Sequence, residues 1–245
     1  MLTQDIWEET FALRFGAIDR SDRLTADSTF SFFQEAAISH AERLGVGRAA
    51  MAGRGQGWVL SRITVFMERR PRWGETITVR SWPRGWERLF AIRDYDIRDA
   101  SGAPVVRGRS SWLIVDLEKR RPLRPQAVMD GLPLNQGLDA LPGGGGGLEA
   151  RDGLIRTGER RALYSDIDYN GHVNNVRYIQ WIQDIAAPGM LEQAGQIRLD
   201  INYLNEVLPG ELTGLWTAAL DGGVAVEGRR EAGQAVFRAE LRVWP

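Results

Sequence analysis

Hydrophobic and polar positions alternate along most of this chain, and two apolar segments with helical spacing interrupt that alternation. In the first half, Phe30, Phe33, Ala37 and Ala41 recur at intervals of three or four and predict a helix. Strand-like alternation covers residues 10–18, 58–68, 76–82, 88–97 and 105–116. The first half therefore predicts one strand, one helix and four further strands.

The second half repeats this order of elements. The pattern predicts a strand over 159–165, then a helix over 173–187 that ends at Pro188-Gly189. Further strands are predicted over 197–204, 211–220, 224–230 and 235–243. An offset of 149 aligns 33–35 with 182–184, and an offset of 136 aligns the strands that follow the helix. The helix-to-strand connection is therefore shorter in the second half.

A stretch rich in proline and glycine separates the two halves, with Pro142 followed by five glycines. Such a run disfavours regular structure because glycine loses much backbone entropy on ordering. We therefore expect an N-terminal domain over 1–125, a linker over 126–158 and a C-terminal domain over 159–245.

The predicted fold class is α+β, with two tandem hotdog domains. The second helix is apolar on more than one face, as expected for a helix enclosed by a curved antiparallel sheet. The alternative is a pair of unrelated α+β domains, and the matching registers argue against it.

Composition excludes several classes of function. The absence of cysteine removes disulfides, zinc–thiolate sites and thiol nucleophiles. With only His40 and His172, a multi-histidine metal site is not expected, and neither is any other cofactor. His40, on the first helix, is interpreted as a packing histidine.

The charge balance and the apolar runs bear on partners and location. A net charge of −1 gives no reason to expect nucleic acid as a partner. No apolar run approaches the ~20 residues of a membrane span, so no membrane insertion is expected. The first residues lack the features of a signal peptide, and a cytoplasmic location is expected by default.

Two basic clusters, 69–72 and 119–124, have two interpretations. They are either solvated loop charges or a docking surface for an acidic partner, where charges at the rim mainly raise the association rate.

Asp168, Asn170 and His172 form the densest group of chemically capable side chains, directly before the second predicted helix. One interpretation is structural: Asp168 or Asn170 caps the helix and His172 packs. The corresponding first-half positions, 19–24, keep an aspartate but lack the amide and the imidazole. Capping alone does not explain why only the second half carries the amide and the imidazole, so an active site is favoured.

Residues 168–181 carry a specific resemblance. They read Asp168-x-Asn170-x-His172-Val173-Asn174-Asn175-Val176-x-Tyr178-Ile179-x-Trp181. This segment resembles the acyl-acyl-carrier-protein (acyl-ACP) thioesterases, tandem hotdog proteins that release fatty acids in fatty acid biosynthesis. Segments 88–93 and 112–116 are similar to the first repeat of that family, so the resemblance covers nearly the whole chain.

The resemblance implies catalysis in the second repeat, with the first repeat shaping the acyl pocket. It implies Asp168, Asn170, His172 and Glu206 as the catalytic residues. The implied partner is an acidic acyl carrier protein that carries an acyl-phosphopantetheine, and the implied products are free fatty acid and holo-ACP. Plant members have a cysteine directly after the glutamate, where this chain has Val207, so carboxylate chemistry is expected.

Several alternatives stay open. Asp168 or Glu206 would activate water or attack the thioester carbonyl, and the sequence does not rank them. Asn170, His172 and backbone N–H groups at the helix start are candidate donors to the oxyanion.

An acyl-CoA thioesterase, an enoyl-thioester hydratase and a non-catalytic acyl-thioester-binding protein are the competing functions. Chain length and oligomeric state are not predicted, so a homodimer stays open.

Overall fold

The computed structural model describes residues 5–143, 145–186 and 188–245. The first half contains β1 (Trp7–Ala12), α1 (Ala26–Arg43), α2 (Arg48–Ala52), β2 (Gln56–Met67), β3 (Thr76–Glu87), β4 (Phe90–Asp99), β5 (Pro104–Asp116), β6 (Arg121–Leu123) and α3 (Gln126–Met129). The second half contains β7 (Ile155–Arg161), α4 (Asn175–Ile185), α5 (Pro188–Gln193), β8 (Gln196–Tyr203), β9 (Leu212–Leu220), β10 (Gly223–Arg230) and β11 (Ala235–Trp244).

One antiparallel sheet runs through both halves in the order β1-β3-β4-β5-β2-β8-β11-β10-β9-β7, with β6 paired to β5. The order within the second half mirrors that of the first, because β7 to β11 take the places of β1 to β5. The two halves meet where β2 pairs with β8. The fold is α+β with two tandem hotdog units, as the sequence predicts.

The junction of the halves has an approximate two-fold axis. Thr64 lies opposite Asp200 in the β2–β8 pairing, and these two positions are also equivalent under the 136-residue offset. A residue pairs with its own repeat equivalent only at the symmetry axis. The Thr64 hydroxyl donates to Asp200 Oδ1 at 2.6 Å, so a polar contact marks the centre of the seam.

The two long helices pack beside each other against the sheet. Gln180 and Gln183 of α4 donate to the carboxylate of Asp27 on α1 at 2.9 and 3.0 Å. Buried apolar side chains of α1, α4 and strands from both halves form one contiguous core. The apolar faces that predicted the helices are the faces that this core buries.

Some predicted element bounds differ from the structure. β1 and β7 end earlier than predicted, and each is followed by a 3-10 turn, Phe15–Ala17 or Tyr164–Asp166. Alternation alone does not distinguish a strand from an extended segment that leads into a turn. Pro188-Gly189 does not end the second helix: α4 ends at Ile185, and α5 begins at Pro188. Proline is compatible with a first helical position, where its missing N–H would have no partner. The predicted helix end at 187 lies outside the described residues.

The linker crosses the seam between the halves. Arg62 on β2 donates to the carbonyl of Gly145 at 3.1 Å, and Arg238 on β11 donates to that of Leu148 at 3.3 Å. The proposed domain bounds at 125 and 158 stay a prediction. Among the described residues, no helix has the length and hydropathy needed to cross a membrane.

His40 is fully buried inside the first half, which confirms its interpretation as a packing residue. Its Nδ1 lies 3.0 Å from the carbonyl oxygen of Ser81, and its Nε2 lies 3.2 Å from Arg43 Nη2. A neutral ring satisfies both contacts, since Nδ1–H donates to Ser81 and Nε2 accepts from Arg43. Burial and the charges of Arg93 and Arg43 lower the pKa of His40 to about 4, although Asp5 acts in the opposite direction.

His40 should therefore make folding sensitive to acid. Its pKa is lower in the folded than in the unfolded chain, so its contribution is complete above pH 6.5 and is lost as pH falls toward 4. We expect the free energy of unfolding to fall by about 2–3 kcal/mol from this residue between pH 7 and 4.5. Denaturant unfolding of wild type and His40→Gln at both pH values measures it. The same pH dependence in both proteins would contradict the assignment.

Candidate active site

The loop before α4 brings Asp168, Asn170 and His172 together. The Asn170 N–H donates to Asp168 Oδ1 at 2.7 Å, and its side-chain amide donates to Oδ2 at 3.4 Å. His172 Nδ1 lies 4.0 Å from Asp168 Oδ1. Gly171, with a φ of +84°, makes the tight turn that returns the chain toward the aspartate. The three side chains form one cluster at the surface.

The first half contains the same loop with different side chains. The Ser21 N–H donates to Asp19 Oδ1 at 2.8 Å, as Asn170 does to Asp168. Asp22 takes the left-handed place of Gly171, with a φ of +60°. Backbone conformation is therefore shared between the two copies, and the amide and the imidazole are present in only one of them.

Neither Asp168 nor Asn170 caps α4. The N-cap is Asn174, whose side chain accepts from the Val176 N–H at 2.9 Å. Thr25, its equivalent under the 149-residue offset, caps α1, where its side chain accepts from the Ser28 N–H at 3.2 Å. The capping interpretation of Asp168 and Asn170 is therefore wrong, and their side chains need another explanation.

The prediction that backbone N–H groups at the helix start serve the oxyanion is wrong for three of them. The N–H of Val173 donates to the Val207 carbonyl at 2.9 Å. The N–H of Asn174 donates to the backbone carbonyl of Asp166, also at 2.9 Å. The Val176 N–H is taken by the cap. The side chains of Asn170 and His172 stay candidate donors on this loop.

Glu206 joins the site through the backbone that follows β8. The bond between Val173 and Val207 holds the chain at 206–207 beside the end of the Asp168 loop. The Glu206 carboxylate is 43% exposed and accepts from Arg120 Nη2 at 3.1 Å. Within the described residues, it makes no hydrogen bond to Asp168, Asn170 or His172.

The 136-residue offset pairs Glu206 with Arg70, and the structure supports this equivalence. In the first half, the Leu24 N–H donates to the Pro71 carbonyl at 2.8 Å, which matches the bond from Val173 to Val207. Arg70 therefore occupies the place of Glu206. Its Nη1 donates to Asp19 Oδ2 at 2.8 Å, and its side chain is only 2% exposed.

The first-half copy is closed by this arginine. Arg70 Nη2 donates to the Leu191 carbonyl at 3.0 Å, and Arg23 donates to that of Ala194 at 3.0 Å. Both acceptors belong to α5 or the residue just beyond it. The first-half loop therefore forms no second site, and Arg23 and Arg70 instead bind the second half.

Two first-half residues at the second-half site were not among the predicted site residues. The Arg48 guanidinium carbon lies 3.3 Å from the ring centre of Tyr169, the neighbour of Asp168. Arg120 pairs with Glu206 and belongs to the basic cluster at 119–124, which was a signal in the sequence. No sequence signal points to Arg48, because its contact depends on the packing of the two halves.

Aromatic rings pack around Tyr178, on the helix that directly follows the site loop. Tyr178 on α4 lies 5.0–5.5 Å from the rings of Trp181, Tyr203 and Phe237 in edge-to-face contacts. Burial raises the pKa of Tyr178, which therefore stays neutral. Within 5–143, 145–186 and 188–245, no three histidine, aspartate or glutamate side chains are grouped to hold a metal ion.

Similar solved structures share this fold. An acyl-ACP thioesterase from Bacteroides thetaiotaomicron VPI-5482 matches with a TM-score of 0.89 and 23% identity over 98% of each chain. A 12:0-ACP thioesterase from Umbellularia californica matches with a TM-score of 0.84 and 24% identity, over 98% of this chain and 97% of that one.

A sequence relative and two family profiles match this chain, and the profiles carry the family assignment. A chloroplastic acyl-[acyl-carrier-protein] hydrolase of Cuphea viscosissima is 27% identical over 221 residues, or 82% of this chain. The chain spans about half the length of that relative, 52%. The family profile of the acyl-ACP thioesterase N-terminal domain matches residues 4–130, and that of the C-terminal domain matches 156–232. The chain belongs to the acyl-ACP thioesterase family.

Proposed function

We propose that this protein hydrolyses fatty acyl-ACP thioesters to free fatty acid and holo-ACP at a single site in its second half. The observation that carries the proposal is the contrast between two loops of one backbone conformation. The first is closed by the Arg70–Asp19 pair, while the second presents Asp168, Asn170 and His172 beside Glu206.

Hydrolysis at this cluster needs no cofactor. A carboxylate, Asp168 or Glu206, takes a proton from water, and the water oxygen attacks the thioester carbonyl carbon. The negative charge that develops on the carbonyl oxygen accepts hydrogen bonds from Asn170 and His172. The carbon–sulfur bond then breaks, and the departing sulfur takes a proton to give the thiol.

A second route uses the same side chains. One carboxylate attacks the carbonyl carbon directly and expels the thiolate, which takes a proton from water to give the thiol and leaves an acyl anhydride on the protein. Water then cleaves the anhydride and releases the fatty acid. Thiol chemistry has no place in either route, because the chain has no cysteine and carries Val207 after Glu206.

The proposed partner is an acidic carrier protein, and acyl-CoA is the alternative substrate. Relatives are named as acyl-carrier-protein hydrolases, and the exposed arginines beside the site suit an acidic carrier. The cytoplasmic location stays a prediction, since the named plant relative is chloroplastic. The homodimer also stays open.

Thiol release from matched acyl-ACP and acyl-CoA substrates tests the proposal. We expect wild type to release thiol from acyl-ACP, with a higher kcat/KM than from acyl-CoA. Higher kcat/KM for acyl-CoA would favour the alternative substrate. Tight binding of acyl-ACP without thiol release would instead identify a non-catalytic binding protein.

A further inference from the structure

The ion pair between Arg120 and Glu206 joins the two halves of the chain at the site. Both side chains face solvent, at 77% and 43% exposure, and the donor–acceptor distance is 3.1 Å. The contact occupies Oε1 of Glu206. If Glu206 acts on water or on the thioester, this oxygen is not free while the pair is intact.

A fixed turn between β5 and β6 carries Arg120. Asp116 Oδ1 accepts from the N–H groups of Lys119 and Glu118 at 2.8 and 3.1 Å. These bonds hold the pKa of Asp116 below its usual range. The Leu117 N–H donates to the Gly55 carbonyl at 2.9 Å, which ties the turn to the residue just before β2. The position of Arg120 is therefore set by the first half, independently of the second-half loop.

The cations around Arg120 differ from those of the other basic cluster. Arg69, Arg70 and Arg72 all pair with carboxylates of the first half. In contrast, several cations near the site are exposed, and in the described part of the chain no carboxylate pairs with them. We call this set, with Arg120, the basic rim: Arg48, Lys119, Arg120, Arg121 and Arg124.

We infer that Arg120 is an ion-pair gate: it holds Glu206 in the free protein and releases it when a carboxylate of an acidic carrier protein docks on the basic rim. The inference rests on the proposed function. An exposed ion pair is weak in water, so a second carboxylate exchanges with Glu206 at little cost. The excess positive charge of the rim attracts such a carrier. Docking and catalysis are thereby coupled at one arginine.

The gate predicts opposite effects of one substitution on two substrates. The same acyl chain is presented on acyl carrier protein and on free pantetheine, and kcat/KM is measured for wild type and Arg120→Ala. We expect kcat/KM for acyl-pantetheine to rise about two- to fivefold, because Glu206 is freed. We expect kcat/KM for acyl-ACP to fall about three- to tenfold, because carrier docking is weakened.

Two further variants serve as controls for Arg120→Ala. Arg120→Asn removes the same charge with a side chain that tolerates the left-handed backbone, φ +50°, at this position, and should behave like the alanine variant. Arg156→Ala removes another exposed arginine, one that pairs with Glu159 on β7, and should leave kcat/KM unchanged for both substrates.

The outcomes separate the gate from the proposed function. Changes in the same direction for both substrates overturn the gate and leave the hydrolase standing. A gain of acyl-CoA over acyl-pantetheine that depends on Arg120 overturns the acidic protein as its trigger and assigns that role to a phosphate. A wild type that releases thiol from none of these substrates overturns the proposed function and the gate with it.

Discussion

Replacing Asp168 with asparagine is expected to lower kcat for acyl-ACP hydrolysis by about 10²- to 10⁴-fold, the range that general acid–base catalysis contributes. Asparagine keeps an oxygen that can accept from the Asn170 N–H, now 2.7 Å from Asp168 Oδ1, so the loop should retain its shape. It removes the negative charge that lets Asp168 act as a base or as a nucleophile in either route. Steady-state thiol release from saturating acyl-ACP measures the effect.

Asp166→Asn is the matched control for this substitution. Asp166 lies two residues away, and its Oδ2 accepts from the Leu163 N–H at 2.9 Å, a contact that holds the turn before the site. We expect its kcat to stay near that of wild type. Equal losses in the two variants would mean that any carboxylate on this loop matters only for folding.

Replacing Arg70 with methionine is expected to reduce stability and spare catalysis. The substitution leaves Asp19 without its ion-pair partner and removes the hydrogen bond to α5. Breaking a buried pair costs about 3–5 kcal/mol, and the partial exposure of Asp19, 21%, places the expected loss at about 3 kcal/mol. Denaturant unfolding measures it, and kcat below the unfolding transition should match that of wild type.

Arg69→Met provides the neighbouring control. Arg69 is 42% exposed and pairs with Glu75 and Asp99, so its loss should cost about 1 kcal/mol or less. If Arg70→Met is no less stable than Arg69→Met, the contacts of Arg70 with Asp19 and with the Leu191 carbonyl do not stabilise the packing of the halves.

The repeat and the fold class could be predicted because periodicity and turn residues are local. The offsets of 149 and 136 reappear in the structure as matched hydrogen bonds. One example is the pair of bonds from Leu13 to Glu75 and from Ala162 to Glu211, at 2.8 and 3.0 Å. The cluster of Asp168, Asn170 and His172 was also accessible, because all three lie on one short loop.

The features that could not be predicted depend on local backbone geometry or on how the two halves pack. The bounds of β1 and β7 were shifted because alternation continues into a turn. The cap at Asn174 was missed because three polar residues precede the helix and only geometry separates them. Arg48 and Arg120 reach the site across the interface between the halves; the basic cluster at 119–124 pointed to Arg120 only as one of several charges, and no local pattern pointed to Arg48.

The central claim is that the second half holds one active site, which works through carboxylates. The most direct test is thiol release from acyl-ACP by three proteins assayed together: wild type, Asp168→Ala and Glu206→Ala. The account predicts rapid release by wild type and a loss of at least about 10²-fold in each variant, with all three proteins folded. Full activity in both variants would contradict it, because hydrolysis would then proceed without either carboxylate.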